Sequence, residues 1–210
     1  VDVPAQRDLK AVVVREQLVR LGRLTADSPL VANLAGEPVA VPGRADDGLR
    51  WRTRQRYVEL ANGQRAMRKH RSHDLVNIDD CLIAAPDARE LKPGPPIVET
   101  VEGTGFGLEA DGFWQVHPAA ATTLVSAVLS LLNPQPGERA LDLYCGVGLF
   151  ARFVAEATAG PVVAVESDHA ACGHARANLS GLPGAVVACG SVDRVLREQF
   201  DEPFDLVVLD

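Results

Sequence analysis

From position 139 onward the chain alternates short apolar runs with amphipathic stretches, and no hairpin signal interrupts the alternation. RALDLY (139–144), PVVAVE (161–166), AVVA (185–188) and FDLVVLD (204–210) read as strands. GLFARFVAEA (148–157), HAACGHARANL (169–179) and VDRVLREQF (192–200) read as the helices between them. Strands joined through helices must run parallel, and such crossovers are right-handed. A further helix is expected over 118–132, ended by Asn133-Pro134 and Pro136-Gly137. The expected fold class is therefore α/β with a parallel sheet.

The first of these strands runs into a glycine loop, Leu141-Asp142-Leu143-Tyr144-Cys145-Gly146-Val147-Gly148, that opens a helix. Glycines there let a ligand approach the backbone, and the helix start offers free N–H groups. Glu166 ends the next strand and can accept two hydrogen bonds from adjacent ribose hydroxyls. Asp210 closes the fourth strand, at the sheet end where ligands of open α/β folds bind. Gly146, Gly148 and Ala151 also satisfy the dinucleotide fingerprint G-x-G-x-x-G/A, so NAD stays open as a ligand beside S-adenosylmethionine (SAM). Asp142 before the loop, and a helix ahead of the first strand, lean toward the positively charged SAM. Cys145 lies in the loop with no evident base or cation beside it, so a packing role is expected for it.

Upstream the pattern differs. Residues 5–24 read as a helix, and 30–85 as short β runs divided by turn signals such as Gly36-Glu37-Pro38, Pro42-Gly43, Asp47-Gly48 and Asn62-Gly63. PDARELKPGPP (86–96) reads as a hinge, and a short β stretch and FWQVHP (113–118) follow it. Two domains are expected, 1–95 (β-rich, with an N-terminal helix) and 96–210 (ligand-binding).

The overall charge of -7 argues against a polyanion partner. Its distribution argues the other way. Residues 44–73 carry Arg44, Arg50, Arg52, Arg54, Arg56, Arg65, Arg68, Lys69 and Arg71 against only Asp46, Asp47 and Glu59. The run 51–60 can set Arg52, Arg54 and Arg56 on one strand face, as a phosphate backbone requires.

With 47% hydrophobic and 23% charged residues the chain is globular rather than disordered. It has no apolar run of the ~20 residues that a membrane helix needs. Cys81, Cys145, Cys172 and Cys189 form no CxxC pair, which suits a reducing compartment better than a disulfide scaffold, with Cys172 and Cys189 structural. A cytoplasmic location is expected, without membrane or DNA partners. The chain starts at Val1 and its single Met is Met67, so a piece of a longer protein is expected.

DGFWQVHP (111–118), LDLYCGVG (141–148), VVAVE (162–166) and FDLVVLD (204–210), with RSHDLVNIDDCLIAAP (71–86) and WRTRQRYV (51–58) upstream, occur in an order that resembles the RNA uracil-5-methyltransferase family. The resemblance is greater to the rRNA branch than to the tRNA branch. It implies a Rossmann-like SAM-dependent methyltransferase sheet, incomplete at its C-terminal side, with a smaller β-rich N-terminal domain. It implies methyl transfer to C5 of uridine, a step in RNA modification and rRNA processing, after a cysteine thiolate adds to C6 and before a base removes the C5 proton.

By the same resemblance Gln115, Tyr144, Glu166 and Asp210 contact the cofactor together with Gly146 and Gly148. It also implies that the 1–95 domain contacts RNA, with Trp51, Tyr57 and Arg54 as candidates and His70 and His73 as surface groups or RNA contacts. Cys81 matches the last of four cysteines that hold a 4Fe-4S cluster in the rRNA branch; one thiolate cannot hold a cluster, so this would concern only a full-length parent. Leu149 and His117 depart from the family's common Asn. The catalytic Cys and base would lie past position 210, so the chain alone is expected to be inactive. A non-catalytic SAM- or RNA-binding module and a NAD-dependent oxidoreductase are the alternatives.

Overall fold

The computed structural model describes residues 2–32, 48–199 and 203–209. Helix α1 spans Val3–Arg20. Asp2 caps it by accepting from the Ala5 N–H at 2.9 Å, and a proline stands in the first turn where no intrahelical donor is needed. None of its residues is buried. A single turn, α2 (Pro29–Ala32), follows.

The upstream β region divides into two small sheets. β2 (Val58–Glu59), β3 (Arg65–Arg68) and β4 (Leu75–Asn77) form an antiparallel meander. The expected Asn62-Gly63 turn joins β2 to β3, with Gly63 at φ +78° and the Asn62 carboxamide accepting from the Gln64 N–H at 3.0 Å. β1 (Arg52–Gln55) instead pairs in parallel with β5 (Ala84–Glu90), so the meander fills the crossover between them. Arg50 ties this region together: its guanidinium forks onto the Asp80 carboxylate and donates to the Cys81 carbonyl at 3.1 Å.

The register of β1 against β5 shifts between Arg52 and Arg54. A shift of this kind breaks strict side-chain alternation. The consequence corrects the sequence expectation of an arginine-lined face: Arg52 is half-buried, Arg54 and Gln55 are both buried, and Arg56 is exposed.

β6 (Ile97–Val101) and β7 (Thr104–Leu108) form a hairpin whose turn residues, Glu102 (φ 49°) and Gly103 (φ 79°), are both left-handed, as a two-residue type I′ loop requires. Only one strand was expected here, because Gly105 and Gly107 weaken the strand signature of β7. Gly107 lies against α5: a Cβ there would stand in ordinary contact, 3.5 Å from Asn178 Oδ1 and 3.6 Å from His174 Nδ1.

The main sheet holds β8 (Ala140–Leu143), β9 (Val162–Glu166), β10 (Ala185–Cys189) and β11 (Leu206–Leu209), all parallel, in the order β10-β9-β8-β11. The helices are α3 (Ala120–Leu132), α4 (Leu149–Thr158), α5 (His169–Asn178) and α6 (Val192–Gln199). Each expected strand and helix of this region is present. One face of the sheet packs Val162, Ala164, Leu206 and Val208 against Val125 of α3, Val154 of α4 and Ala175 of α5. The other packs Leu141, Leu143 and Val165 against Val192 and Val195 of α6. This is the doubly wound, Rossmann-like arrangement, with the order reversing beside β8. The β6–β7 hairpin lies on the α5 side, where Phe106 is fully buried against Trp114 and Phe153.

Cys172 and Cys189 correct the expectation of a chain without disulfides. They are joined, with Cα atoms 6.0 Å apart across a separation of 17 residues. One helix–strand unit brings the first turn of α5 beside the end of β10, a proximity that spacing in sequence does not reveal.

Candidate functional site

At the carboxyl ends of β8 and β9 lies a cavity of about 510 Å³. It is lined by Tyr144, Gly146 and Val147 after β8, Glu166 and Asp168 after β9, Ala170, Ala171 and His174 of α5, and the segment following β7 (Leu108, Glu109, Asp111–Phe113). Its size is that of a small-molecule site.

The floor is the glycine loop. Tyr144 takes a left-handed φ of 62°, a strained position for a side chain, and leaves its ring half-exposed toward the opening. Gly146, at φ 55°, would direct a Cβ into open space, so the loop surface here is bare backbone. Gly148 serves differently. It is the left-handed N-cap of α4, against Leu179 and Ala175, and does not line the cavity.

Glu166 is anchored before any ligand arrives. Its Oε2 accepts from the Gly146 N–H at 3.0 Å, and its Oε1 from the N–H groups of Ser167 (2.6 Å) and Asp168 (2.8 Å). One donor on Oε2 leaves that oxygen with further acceptor capacity on the cavity side. Asp142 has a role the sequence did not suggest. It is buried, and its Oδ2 accepts from the Ala151 N–H at 2.8 Å, in the first turn of α4. A carboxylate therefore occupies the helix start where a bound phosphate would otherwise be received.

Asn178 is the residue most easily missed in the sequence. Its carboxamide accepts from the Gly107 N–H at 2.8 Å and donates to the carbonyls of Gly107 (3.0 Å) and Val147 (2.9 Å). It thus latches the glycine loop to the β6–β7 hairpin. His174 adds a second tie, its Nε2 lying 2.9 Å from Glu109 Oε1. Helical spacing (174 and 178, on one face) was the available signal; the partner hairpin was not visible.

Cys145 is buried, and burial, followed by the nearby charges of Asp142 and Glu166, pushes its thiol far above the ordinary range. It is unsuited to act as a nucleophile. Cys81 is half-buried, with its Sγ 3.5 Å from Gln55 Nε2. Among the described residues no three His, Cys, Asp or Glu side chains converge as metal ligands. The residues present do not fit an iron–sulfur cluster.

Gln115 does not join the others. It lines a neighbouring cavity of about 350 Å³, between β1, β5, the β6–β7 hairpin and the start of α3. Asp210 lies outside the described residues, as do Arg44 and the turns at 36–38 and 42–43. Of the residues considered for RNA contact, Arg54 is buried and donates to the Gly112 carbonyl. Trp51 stacks on His117 at 5.7 Å, and Tyr57 lies under the Arg65 guanidinium at 5.1 Å. His117, the departure from the family's Asn, accepts from the Ala119 N–H through Nδ1 at 3.2 Å and so supports the turn into α3. Arg56, Arg65, Arg68, Lys69 and Arg71 remain exposed. No helix among the described residues is long and apolar enough to cross a membrane.

No family model matches the chain. It is 34% identical to an uncharacterized RNA methyltransferase of Streptomyces coelicolor, over 98% of this chain and 58% of that protein. A 23S rRNA (uracil(1939)-C(5))-methyltransferase, RlmD, of Thiobacillus denitrificans is 36% identical over 47% of this chain and 23% of its own length. Among solved structures, a tRNA (uracil-54, C5)-methyltransferase of Pyrococcus abyssi in complex with S-adenosyl-L-homocysteine is 23% identical, with a TM-score of 0.45 over 69% of this chain and 33% of that one. The chain spans about three-fifths of the curated relatives that it matches over nearly all of its own length. The resemblance read from the sequence is borne out to this extent: the homologues are named RNA methyltransferases.

Proposed function

From its homology to RNA methyltransferases as the premise, we propose that the chain binds SAM in the cavity at the ends of β8 and β9. We further propose that the whole protein transfers a methyl group to C5 of uridine in RNA, rRNA rather than tRNA. The carrying observation is Glu166, a carboxylate fixed by three backbone N–H groups at the lip of a bare glycine loop. A carboxylate so held can accept from a ribose hydroxyl through Oε2 with little ordering cost. Gly146 lets the ligand lie against the backbone, and Tyr144 lines the cavity beside it. Gly148 supports the site through the start of α4, and Gln115 and Asp210 are assigned to it by resemblance only. SAM, when bound, supplies a methyl group on a sulfonium.

Asp142 supports SAM against NAD. Its carboxylate already holds an N–H of the first turn of α4 and would repel a pyrophosphate placed there. The domain division near residue 95 is part of the same reading: the upstream sheets present RNA through the exposed basic side chains of 44–73, and the main sheet holds the cofactor.

Calorimetry with SAM, S-adenosylhomocysteine and NAD tests the proposal. SAM and its product should bind and NAD should not. Glu166→Gln should weaken S-adenosylhomocysteine about tenfold or more, the worth of one charged hydrogen-bonding group. Tight NAD binding, or indifference to the Glu166 change, would overturn the assignment.

A further inference from the structure

The cavity of about 350 Å³ beside the cofactor cavity enters the reading above only through Gln115, and its walls are electropositive. Arg54 is 3% exposed, and its Nε, among the described residues, is buried without a hydrogen-bond partner. An unpaired polar atom of a buried cation is costly, so the position requires an account. Arg89 lines the same cavity, and its charge, with that of Arg52, opposes that of Arg54. Glu99 offsets them, paired with Arg89 at 3.5 Å.

A second feature points the same way. Helix α3, thirteen residues long, begins on this cavity, and Ala121 and Thr122 of its first turn line the wall. Its N-cap, Ala119, provides no side-chain acceptor. Helix geometry gives the N–H groups of Ala121 and Thr122 no acceptor inside the helix. Two guanidiniums and one carboxylate thus line the same cavity as the positive end of a helix dipole. The Thr100 and Thr122 hydroxyls around it can donate as well.

We propose that this cavity is an oxyanion site of the phosphate class, in which Arg54, Arg89 and the first turn of α3 receive one phosphodiester of the RNA strand. The RNA part rests on the function proposed above; the anion site does not. It gives the buried Arg54 a purpose that a surface contact cannot. It also places one backbone phosphate between the basic upstream sheets and the cofactor cavity, where it would fix the strand relative to the methyl donor.

The test is to titrate the 210-residue chain with inorganic phosphate, and separately with a uridine-containing single-stranded RNA of about ten nucleotides. S-adenosylhomocysteine binding is followed in parallel. Arg54→Met and Thr122→Glu should each weaken both ligands about tenfold or more. Thr122→Glu guards against a folding artefact: an acid in the first turn favours the helix while repelling the anion. S-adenosylhomocysteine affinity should be unchanged by either. Phosphate binding that ignores both substitutions overturns the site. Substitutions that weaken phosphate but not the oligonucleotide overturn the RNA as its occupant. Loss of both ligands in the variants of a chain that never binds S-adenosylhomocysteine leaves the anion site standing and removes the methyltransferase reading.

Discussion

Cys145 shows how far one side chain's surroundings decide its chemistry. It stands in the loop nearest the proposed methyl donor, yet burial and two neighbouring carboxylates hold its proton. Its folded pKa is raised, so the associated stability is complete below the ordinary thiol value of about 8.5 and is lost as pH rises beyond it. Between those limits the unfolded chain releases a proton that the folded chain keeps. Denaturant titrations of the wild type should lose up to about 1.4 kcal/mol per pH unit more than Cys145→Ala does over pH 9–10. Parallel slopes for the two proteins would refute the shielding. Alkylation at pH 8 should label Cys81 and spare Cys145 in the native chain; mass spectrometry of the digest reads the difference.

At the scale of elements, Asn178 carries the clearest prediction. Asn178→Ala removes three hydrogen bonds joining α5, β7 and the glycine loop. At about 1 kcal/mol each, the loss should be about 2–3 kcal/mol, visible as a lowered melting temperature. Asn178→Asp keeps the acceptor for Gly107 but sets a carboxylate oxygen against the Gly107 and Val147 carbonyls, and should cost at least as much as Ala. An unchanged melting temperature for the Ala variant would show that the latch is unimportant.

The same elements show what could be read in advance. The β8–β11 region was legible because buried parallel strands are apolar runs and their helices are periodic, two signals that local sequence carries. Glu166 and Gly146 were legible for the same reason, since loop and strand end are contiguous in sequence. β7 was hidden by Gly105 and Gly107, the second of which is bonded to Asn178 of α5 some 70 residues on. The burial of Arg54 was hidden by a register shift, which only the partner strand β5 defines. Asp142 looked like a ligand contact because a strand-ending acid and a helix-capping acid are the same residue in sequence.

For the molecule as a whole, charge is the organising quantity. Exposed Arg56, Arg65, Arg68, Lys69 and Arg71 sit in the small upstream sheets and their connections, while residues 74–210 are strongly acidic. RNA affinity should therefore fall with salt. Exchanging Arg56, Arg68 and Arg71 together for Gln should lower the slope of log K against log salt by about 2–3. A slope that is unchanged would place the RNA elsewhere.

The Asn178 carboxamide has one more consequence, this time for motion. Because a single group grips both Gly107 and Val147, hairpin and loop form one breathing unit rather than two. Deuterium should enter the amides of Gly107 and the loop with a common protection factor, and a ligand seated on the loop should slow exchange in a hairpin it need never touch.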